Sequence, residues 1–392
     1  MSWVGRRWTG RGRRGRALPA VSGLLAALLL AGCGSDGYQP QGPFRPLPEG
    51  APPRVGPPSS EAVPPPINPA EPGAEEGHSG DPNVVATDLR VPTGLVVLPD
   101  GSAVVGERET GALWHVFPDR SPQKKLMTVP GVDTAGDGGL LGLVLSPTYG
   151  QDGLLYAYLS TATDNRVVRF PLGGTPNPVL TGIPRGAHDN GGGLLFSPDG
   201  TLFVGTGDTG RPELAADPGS LAGKVLHIDA FGRPVGRNRI YSSGHRDVLA
   251  LCSAGNDGSP LFAAGDTELN AVTRNSEHGW PQQGPDSVAP TVEFPADQAG
   301  LAGCAVAGTT VFLGSLTGER VHIAALDGNG RLEDNPQAVL EGQYGRLRTV
   351  VLDAQGGLWV TTSNRDGAGD PAEDDDKVLR IVPPAAGGGS PL

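Results

Sequence analysis

The chain has 392 residues, with 30 Lys and Arg against 42 Asp and Glu, for a formal net charge of −12. That surplus of acid argues against direct binding to nucleic acid or to anionic lipid headgroups. Its 62 glycines and 39 prolines, beside few aromatics, are too much turn chemistry for a helical protein and suit many short strands.

The first segment, residues 1–32, reads as an export signal. Arg6, Arg7, Arg11, Arg13, Arg14 and Arg16 form a basic stretch with no acid before Asp36. An apolar run centred on Leu24–Leu30 follows, too short to span a bilayer comfortably, and it closes on Leu30-Ala31-Gly32-Cys33 in the manner of a bacterial lipobox. Arg6-Arg7 leaves the export route open between general and twin-arginine secretion. The expectation is a signal peptide cleaved before a lipidated Cys33, whose several acyl chains suffice for a stable anchor. The protein would then work outside the cytoplasm, tethered to the cell membrane. Removing the signal takes away six arginines and no acid, leaving a net charge of about −18.

Residues 33–83 read as a disordered, Pro-rich linker. Fourteen prolines fall between Pro40 and Pro82 with almost no apolar periodicity. Such a stretch buries too little surface to offset its ordering entropy and predicts an extended, semi-rigid spacer.

From residue 84 to 385 the pattern changes to apolar strand, Pro-Asp-Gly-type turn, apolar strand, polar residues and a third strand. Val96–Val105, built around Pro99-Asp100-Gly101, is the first repeat, and Leu194–Val204, around Pro198-Asp199-Gly200, is the third. Leu143–Pro147, Leu249–Cys252, Cys304–Val306 and Val350–Asp353 open the others. A spacing of roughly 50 residues is the length of a four-stranded blade, so the fold predicted is an all-β, six-bladed β-propeller, with a flexible tail at 386–392. Cys252 and Cys304 occupy similar positions in successive repeats. In an oxidising compartment they read as a disulfide, the alternative being two buried free thiols.

Several motifs carry little chemistry. Gly205-Thr206-Gly207-Asp208-Thr209-Gly210 matches G-x-G-x-x-G after a strand, but Arg211-Pro212 follows where a nucleotide site needs a helix, so it reads as a glycine-rich loop. The run Glu373-Asp374-Asp375-Asp376 lacks the alternating ligand spacing of a calcium loop and reads as a solvated turn. His245 reads equally as a satisfied core histidine. No nucleophile elbow, zinc motif or C-x-x-C is present.

Other segments, taken in order, resemble the soluble quinoprotein glucose/sorbosone dehydrogenases. They are Leu140–Pro147 with Asn165–Phe170, Asn190–Leu194 with Phe196–Gly200, Ser220–Leu226, Gly244-His245-Arg246, Asp266–Asn270 with Gly279-Trp280-Pro281, and Gly345–Arg348. A mycobacterial lipoprotein of this type is similar in further stretches: Ala135–Leu140, Thr163–Arg169 and Leu214–Pro218. The resemblance implies a propeller that binds pyrroloquinoline quinone (PQQ) and calcium on its upper face and oxidises the C1 hydroxyl of a small sugar by hydride transfer. It implies a base at His188 or Asp189, since the family's catalytic histidine falls, without a gap, on Asp189, with His188 one residue early. It places Arg246, Asp247, Arg346 and Arg348 around the cofactor, whose three carboxylates call for arginine forks. It puts calcium near Asp266 and Glu268.

The same comparison shows departures. The family's arginine after the histidine stretch is Gly193 here. Asp247-Val248-Leu249 replaces Asn-Pro-Gln, a Gly-Pro is deleted between Gly265 and Asp266, and a lysine position reads Thr317. Two functions therefore stand side by side: a PQQ-dependent aldose dehydrogenase with a rearranged site, and a catalytically degenerate propeller serving as an envelope binding or scaffold lipoprotein.

Overall fold

The computed structural model describes residues 80–382 apart from 256 and 257. The expectations for residues 1–79, including the signal peptide, lipidated Cys33 and most of the linker, lie outside the described residues, as does the tail. Six sheets arranged as propeller blades carry nearly all the regular structure.

The described chain opens with β1 (Val84–Ala86). Blade 1 follows as β2 (Pro92–Val97), β3 (Ala103–Glu107), β4 (Ala112–Val116) and β5 (Lys124–Thr128). Blade 2 is β6 (Leu140–Leu145), β7 (Leu154–Ser160), β8 (Asn165–Pro171) and β9 (Asn177–Ile183), with the single-turn α1 (Tyr149–Asp152) inside it. Blade 3 is β10 (Leu194–Phe196), β11 (Leu202–Gly205), β12 (Val225–Ile228) and β13 (Ile240–Ser243), interrupted by α2 (Glu213–Ala216). Blade 4 is β14 (Ala250–Cys252), β15 (Leu261–Gly265) and β16 (Glu268–Val272), then, after β17 (Ser276–Glu277), which joins blade 3 as its fifth strand in parallel with β13, β18 (Val292–Glu293). Blade 5 is β19 (Leu301–Ala307), β20 (Thr310–Ser315), β21 (Arg320–Ala325) and β22 (Gln337–Val339). Blade 6 is β23 (Leu347–Leu352), β24 (Leu358–Thr362) and β25 (Val378–Ile381), and its outer edge is β1, antiparallel to β25. The ring is thus closed by strands from both ends of the domain, which removes the open sheet edges a linear stack of blades would leave.

The core is six cores, one between each pair of neighbouring blades. Alternating side chains on each strand face the blade before and the blade after, as the pleat requires. Val104, Leu113, Leu140, Leu155 and Phe170 fill the interface of blades 1 and 2. Phe262, Leu269, Leu301, Val311 and Leu313 fill that of blades 4 and 5. Trp359 of β24 sits fully buried at the seam with Val85, Leu95 and Val105. The inner strands approach so closely that glycine is required: a Cβ on Gly142 would lie 2.0 Å from the carbonyl oxygen of Gly192.

The Asp-Gly turns that betrayed the repeat also fasten it. Asp100 accepts from the hydroxyl of Ser102 at 2.6 Å, and that oxygen meets Nε2 of His115 at 2.7 Å on β4. Asp199, Thr201 and His227 repeat the arrangement in blade 3. In blade 6 Asp353 accepts instead from Trp359 Nε1 and Arg380. Each set ties the turn between the first two strands to the third.

The Cys252–Cys304 disulfide is formed, with Cα atoms 5.7 Å apart, and joins the innermost strands β14 and β19 of blades 4 and 5. The acidic run near residue 375 corrects the sequence reading. Asp375 and Asp376 are buried. Asp376 accepts the backbone N–H groups of Val91 at 3.1 Å and Asn364 at 2.5 Å, so it ties blade 6 to the entry of blade 1.

Candidate active site

The loops that enter the innermost strands gather on one face of the ring, here called the upper face, and the candidate residues lie among them. The segment between β9 and β10 is set by Asn190, buried in the sheet interface. Its Oδ1 accepts from Gly186 N and Asn165 Nδ2, each at 3.0 Å, and its carbonyl accepts from the Tyr158 hydroxyl at 2.8 Å. Just before it, Asp189 adopts a left-handed φ of 53°, and its carbonyl takes the Thr209 N–H at 2.9 Å. A Cβ on Gly207 would strike that carbonyl at 1.9 Å, which is why the glycine-rich loop beneath must be glycine there.

This turn sends the two candidate bases different ways. The His188 side chain is 71% exposed, and its Nδ1 lies 3.2 Å from Asp137 Oδ2 in the loop before β6. Asp189 faces inward, with Oδ1 3.8 Å from Arg246 Nε. Burial raises the Asp189 pKa; Arg246 opposes this, while Asp208 and Asp266 reinforce it.

Arg246 is the exposed cation of the cleft. Its Nη1 donates to Asp266 at 2.6 Å, and its guanidinium lies 5.4 Å over the Trp280 ring. Trp280 is held from below, its Nε1 donating at 2.8 Å to the buried Asp208. His245 behind it is a satisfied core histidine, with Nε2 2.8 Å from the Ser242 hydroxyl and its ring stacked on His278. Burial holds His278 down to about 4, so both imidazoles are neutral packing groups.

Asp247 lies beside the Asp189 turn. Its Oδ1 accepts the Gly191 N–H at 2.7 Å, and burial with repulsion from Asp189 pushes its pKa up to about 8. Across from it stands Arg348, only 8% exposed. Among the described residues its guanidinium has no hydrogen-bond acceptor or ion-pair partner. Burial and the charge of Arg108 hold its pKa down to about 10. Arg346 is differently placed: its Nε and Nη2 donate to Asp366 Oδ2 at 3.0 and 2.9 Å, so this arginine is already paired.

The two residues expected near calcium, Asp266 and Glu268, are each engaged by a neighbouring side chain. Asp266 is bonded to Arg246, and Glu268 Oε2 accepts from Asn270 Nδ2 at 3.1 Å. Glu268 carries a raised pKa from burial. Among the described residues no group of three or more His, Cys, Asp or Glu side chains could hold a metal ion. With Asp266 bonded to Arg246, no set of carboxylates among the described residues converges on one point. The quinone fares better. The buried guanidinium of Arg348 is a donor an oligocarboxylate needs, and Arg246 can add only the N–H groups that Asp266 leaves free.

The residues the sequence did not flag are Asp137, Asp208, Trp280 and Arg108. The first and third stand inside stretches that carried the family resemblance, Ala135–Leu140 and Gly279-Trp280-Pro281. Asp208 lies in the glycine-rich loop, and only Arg108 carried no signal.

The chain is thus a six-bladed propeller with arginines gathered on its upper face. The chain belongs to the Glucose / Sorbosone dehydrogenase family, whose profile matches residues 89–289. Among solved structures, the PQQ-bound form of an aldose sugar dehydrogenase from Streptomyces coelicolor is 39% identical. It matches 76% of this chain and 95% of its own length, with a TM-score of 0.72. A putative oxidoreductase (glucose dehydrogenase) from Thermus thermophilus is 34% identical over 76% of this chain and 98% of its own, with a TM-score of 0.68. Quinoprotein glucose dehydrogenase B of Acinetobacter calcoaceticus is 25% identical over 266 residues. The match spans about half the length of that curated relative, 55% of either chain.

Proposed function

We propose that this chain is a PQQ-dependent aldose dehydrogenase, lipid-anchored through Cys33 on the outer side of the cell membrane. The observation that carries the reading is Arg348, a buried guanidinium with no hydrogen-bond acceptor among the described residues, at a position matching one that holds the quinone in the family. Buried unpaired charge is costly, and a carboxylate ligand removes that cost. Arg348 and Arg246 would hold the cofactor carboxylates. When bound, the quinone supplies the hydride acceptor.

The chain's own residues supply the rest. Asp137 accepts Nδ1–H of His188, which leaves the lone pair on Nε2 facing solvent and able to take the proton of a sugar C1 hydroxyl. Asp189 and Asp266 orient Arg246, and Trp280 backs it. No step is assigned to calcium.

A second reading is favoured by two observations: Arg346 is spent on Asp366, and Asp247 places a carboxyl group beside Arg348. On that reading the propeller keeps the fold without the chemistry and acts as an envelope binding protein.

The deciding experiment uses the full chain purified in detergent. It is mixed with PQQ, with and without calcium, and assayed by dye reduction over a panel of aldoses. Dye reduction with a change in the quinone absorbance is expected. Absence of both with every sugar would end the dehydrogenase reading. In cells, Cys33→Ser should move the protein from the membrane fraction to the soluble one; retention in the membrane would sink the lipid anchor.

A further inference from the structure

Arg348 is not the only under-partnered guanidinium at the centre of the ring. Arg108 follows β3 at the upper end of blade 1, and its position is fixed by the backbone. Its N–H donates to the Val91 carbonyl at 3.0 Å, and its carbonyl accepts from Leu140 N at 3.2 Å, so it bridges the entries of the first two innermost strands. The side chain is largely buried. Its Nε is sealed from solvent and has no hydrogen-bond partner. Its one ion-pair contact is Nη2 to the exposed Glu109 at 3.4 Å, long for a charged hydrogen bond.

Arg348 reaches the same seam from β23: its neighbour Thr349 donates its hydroxyl to the Thr93 carbonyl of β2 at 2.9 Å, two residues from the Val91 carbonyl that receives Arg108, and the charge of Arg108 helps to lower the Arg348 pKa. Neither of the carboxylates near Arg348 separates the two cations. Asp366 is taken by Arg346, and Asp247 is bonded to Gly191. Two largely buried guanidinium groups at one seam, with N–H donors that no acceptor among the described residues takes, are the arrangement that an anion relieves.

We propose that Arg108 is a third arginine of the central cleft and forms, with Arg348, a two-guanidinium seat for one carboxylate of a planar polycarboxylate ligand. This rests on the quinone reading and extends it to a residue from blade 1. It also accounts for two cationic positions of the family being Gly193 and Thr317 here: the positive charge comes from another blade.

The test uses the cofactor-free full chain with Arg108→Met, Arg108→Lys and Arg348→Met variants. PQQ binding is followed by tryptophan fluorescence quenching, pyridine-2,6-dicarboxylate binding by calorimetry, and melting curves are recorded without ligand. Arg108→Met should melt at or above the parent temperature, because a repulsion is removed. It should bind both ligands about ten-fold more weakly, with a shallower salt dependence, and Arg108→Lys should recover part of the affinity. Unchanged PQQ affinity in Arg108→Met would overturn the inference while leaving the quinone reading intact. Binding of the dicarboxylate that depends on Arg108, without binding of PQQ, would uphold the anion seat and remove the quinone. A lower melting temperature with unchanged affinity would reduce Arg108 to a structural residue, and failure of the parent chain to bind either ligand would overturn both.

Discussion

Asp247 accepts the Gly191 N–H at 2.7 Å while facing the unpaired guanidinium of Arg348, so one side chain joins the third and fourth blades and sets the charge of the cleft. Its pKa of about 8 in the folded chain lies above that of an unfolded aspartate, so the native state holds a proton the unfolded state has lost. The contribution is therefore neutral below about pH 4, costs stability progressively as pH rises toward 8, and is constant above that. Asp247→Asn keeps an acceptor for Gly191 and removes this cost. It should raise the melting temperature by a few degrees at pH 8 and leave it unchanged near pH 4. In parallel, PQQ affinity should rise about ten-fold. Equal pH profiles for the two proteins would contradict the placement of the proton.

The pairing of His188 with Asp137 separates the two candidate bases. His188→Ala should lower kcat by roughly 100-fold or more, in the range of a lost general base. Asp137→Asn should cost less, about ten-fold, because it disturbs only the tautomer and orientation of the imidazole. Asp189→Asn should raise KM for the cofactor more than it lowers kcat, since Asp189 acts through Arg246. If His188→Ala retains full activity and Asp189→Asn has none, the assignment is reversed.

The disulfide between β14 and β19 closes a separation of 52 residues. In the chain-entropy account such a loop contributes on the order of 4 kcal/mol. The Cys252→Ser, Cys304→Ser double variant should therefore melt about 6 °C lower for a domain of this size, measured by calorimetry. A change under 1 °C would indicate that the interface between blades 4 and 5 holds those strands unaided.

Lys224 is fully buried, and its Nζ donates to the carbonyls of Leu214, Ala215 and Ala222, each at 2.7 Å. Those carbonyls belong to α2 and the turn after it, so the ammonium pins the excursion that leads back from the glycine-rich loop. Lys224→Met orphans three acceptors and should destabilise the domain by about 3 kcal/mol in urea unfolding. Protease cleavage should appear first near residues 211–219.

The blades were legible because each repeats a period-2 strand pattern around a Pro-Asp-Gly turn, a signal local in sequence. β1 was not, since three residues carry no periodicity and its partner β25 lies nearly 300 residues away. Asp376 failed for the same reason: a run of acids looks solvated until the N–H groups that receive it, such as that of Val91, arrive from the far end of the chain. Within the site, the family resemblance picked out Arg246, Arg348 and Asp266 but did not show that Arg246 and Asp266 bond to each other. No alignment of motifs exposes which carboxylate a given arginine chooses.

The seam between β1 and β25 has a mechanical meaning. A pull on Gly80 enters the domain at β1, a three-residue edge strand, and at the turn before it, where Asp81 and Asn83 meet the Tyr344 hydroxyl, rather than at the inner ring. Peeling that strand bares Val85 and Ala86 and loosens Trp359 while leaving five blades whole. The domain therefore has a built-in weakest point that yields under tension before the cleft is deformed. Its last blade also cannot be completed until residues around 380 have been synthesised and have met residue 84.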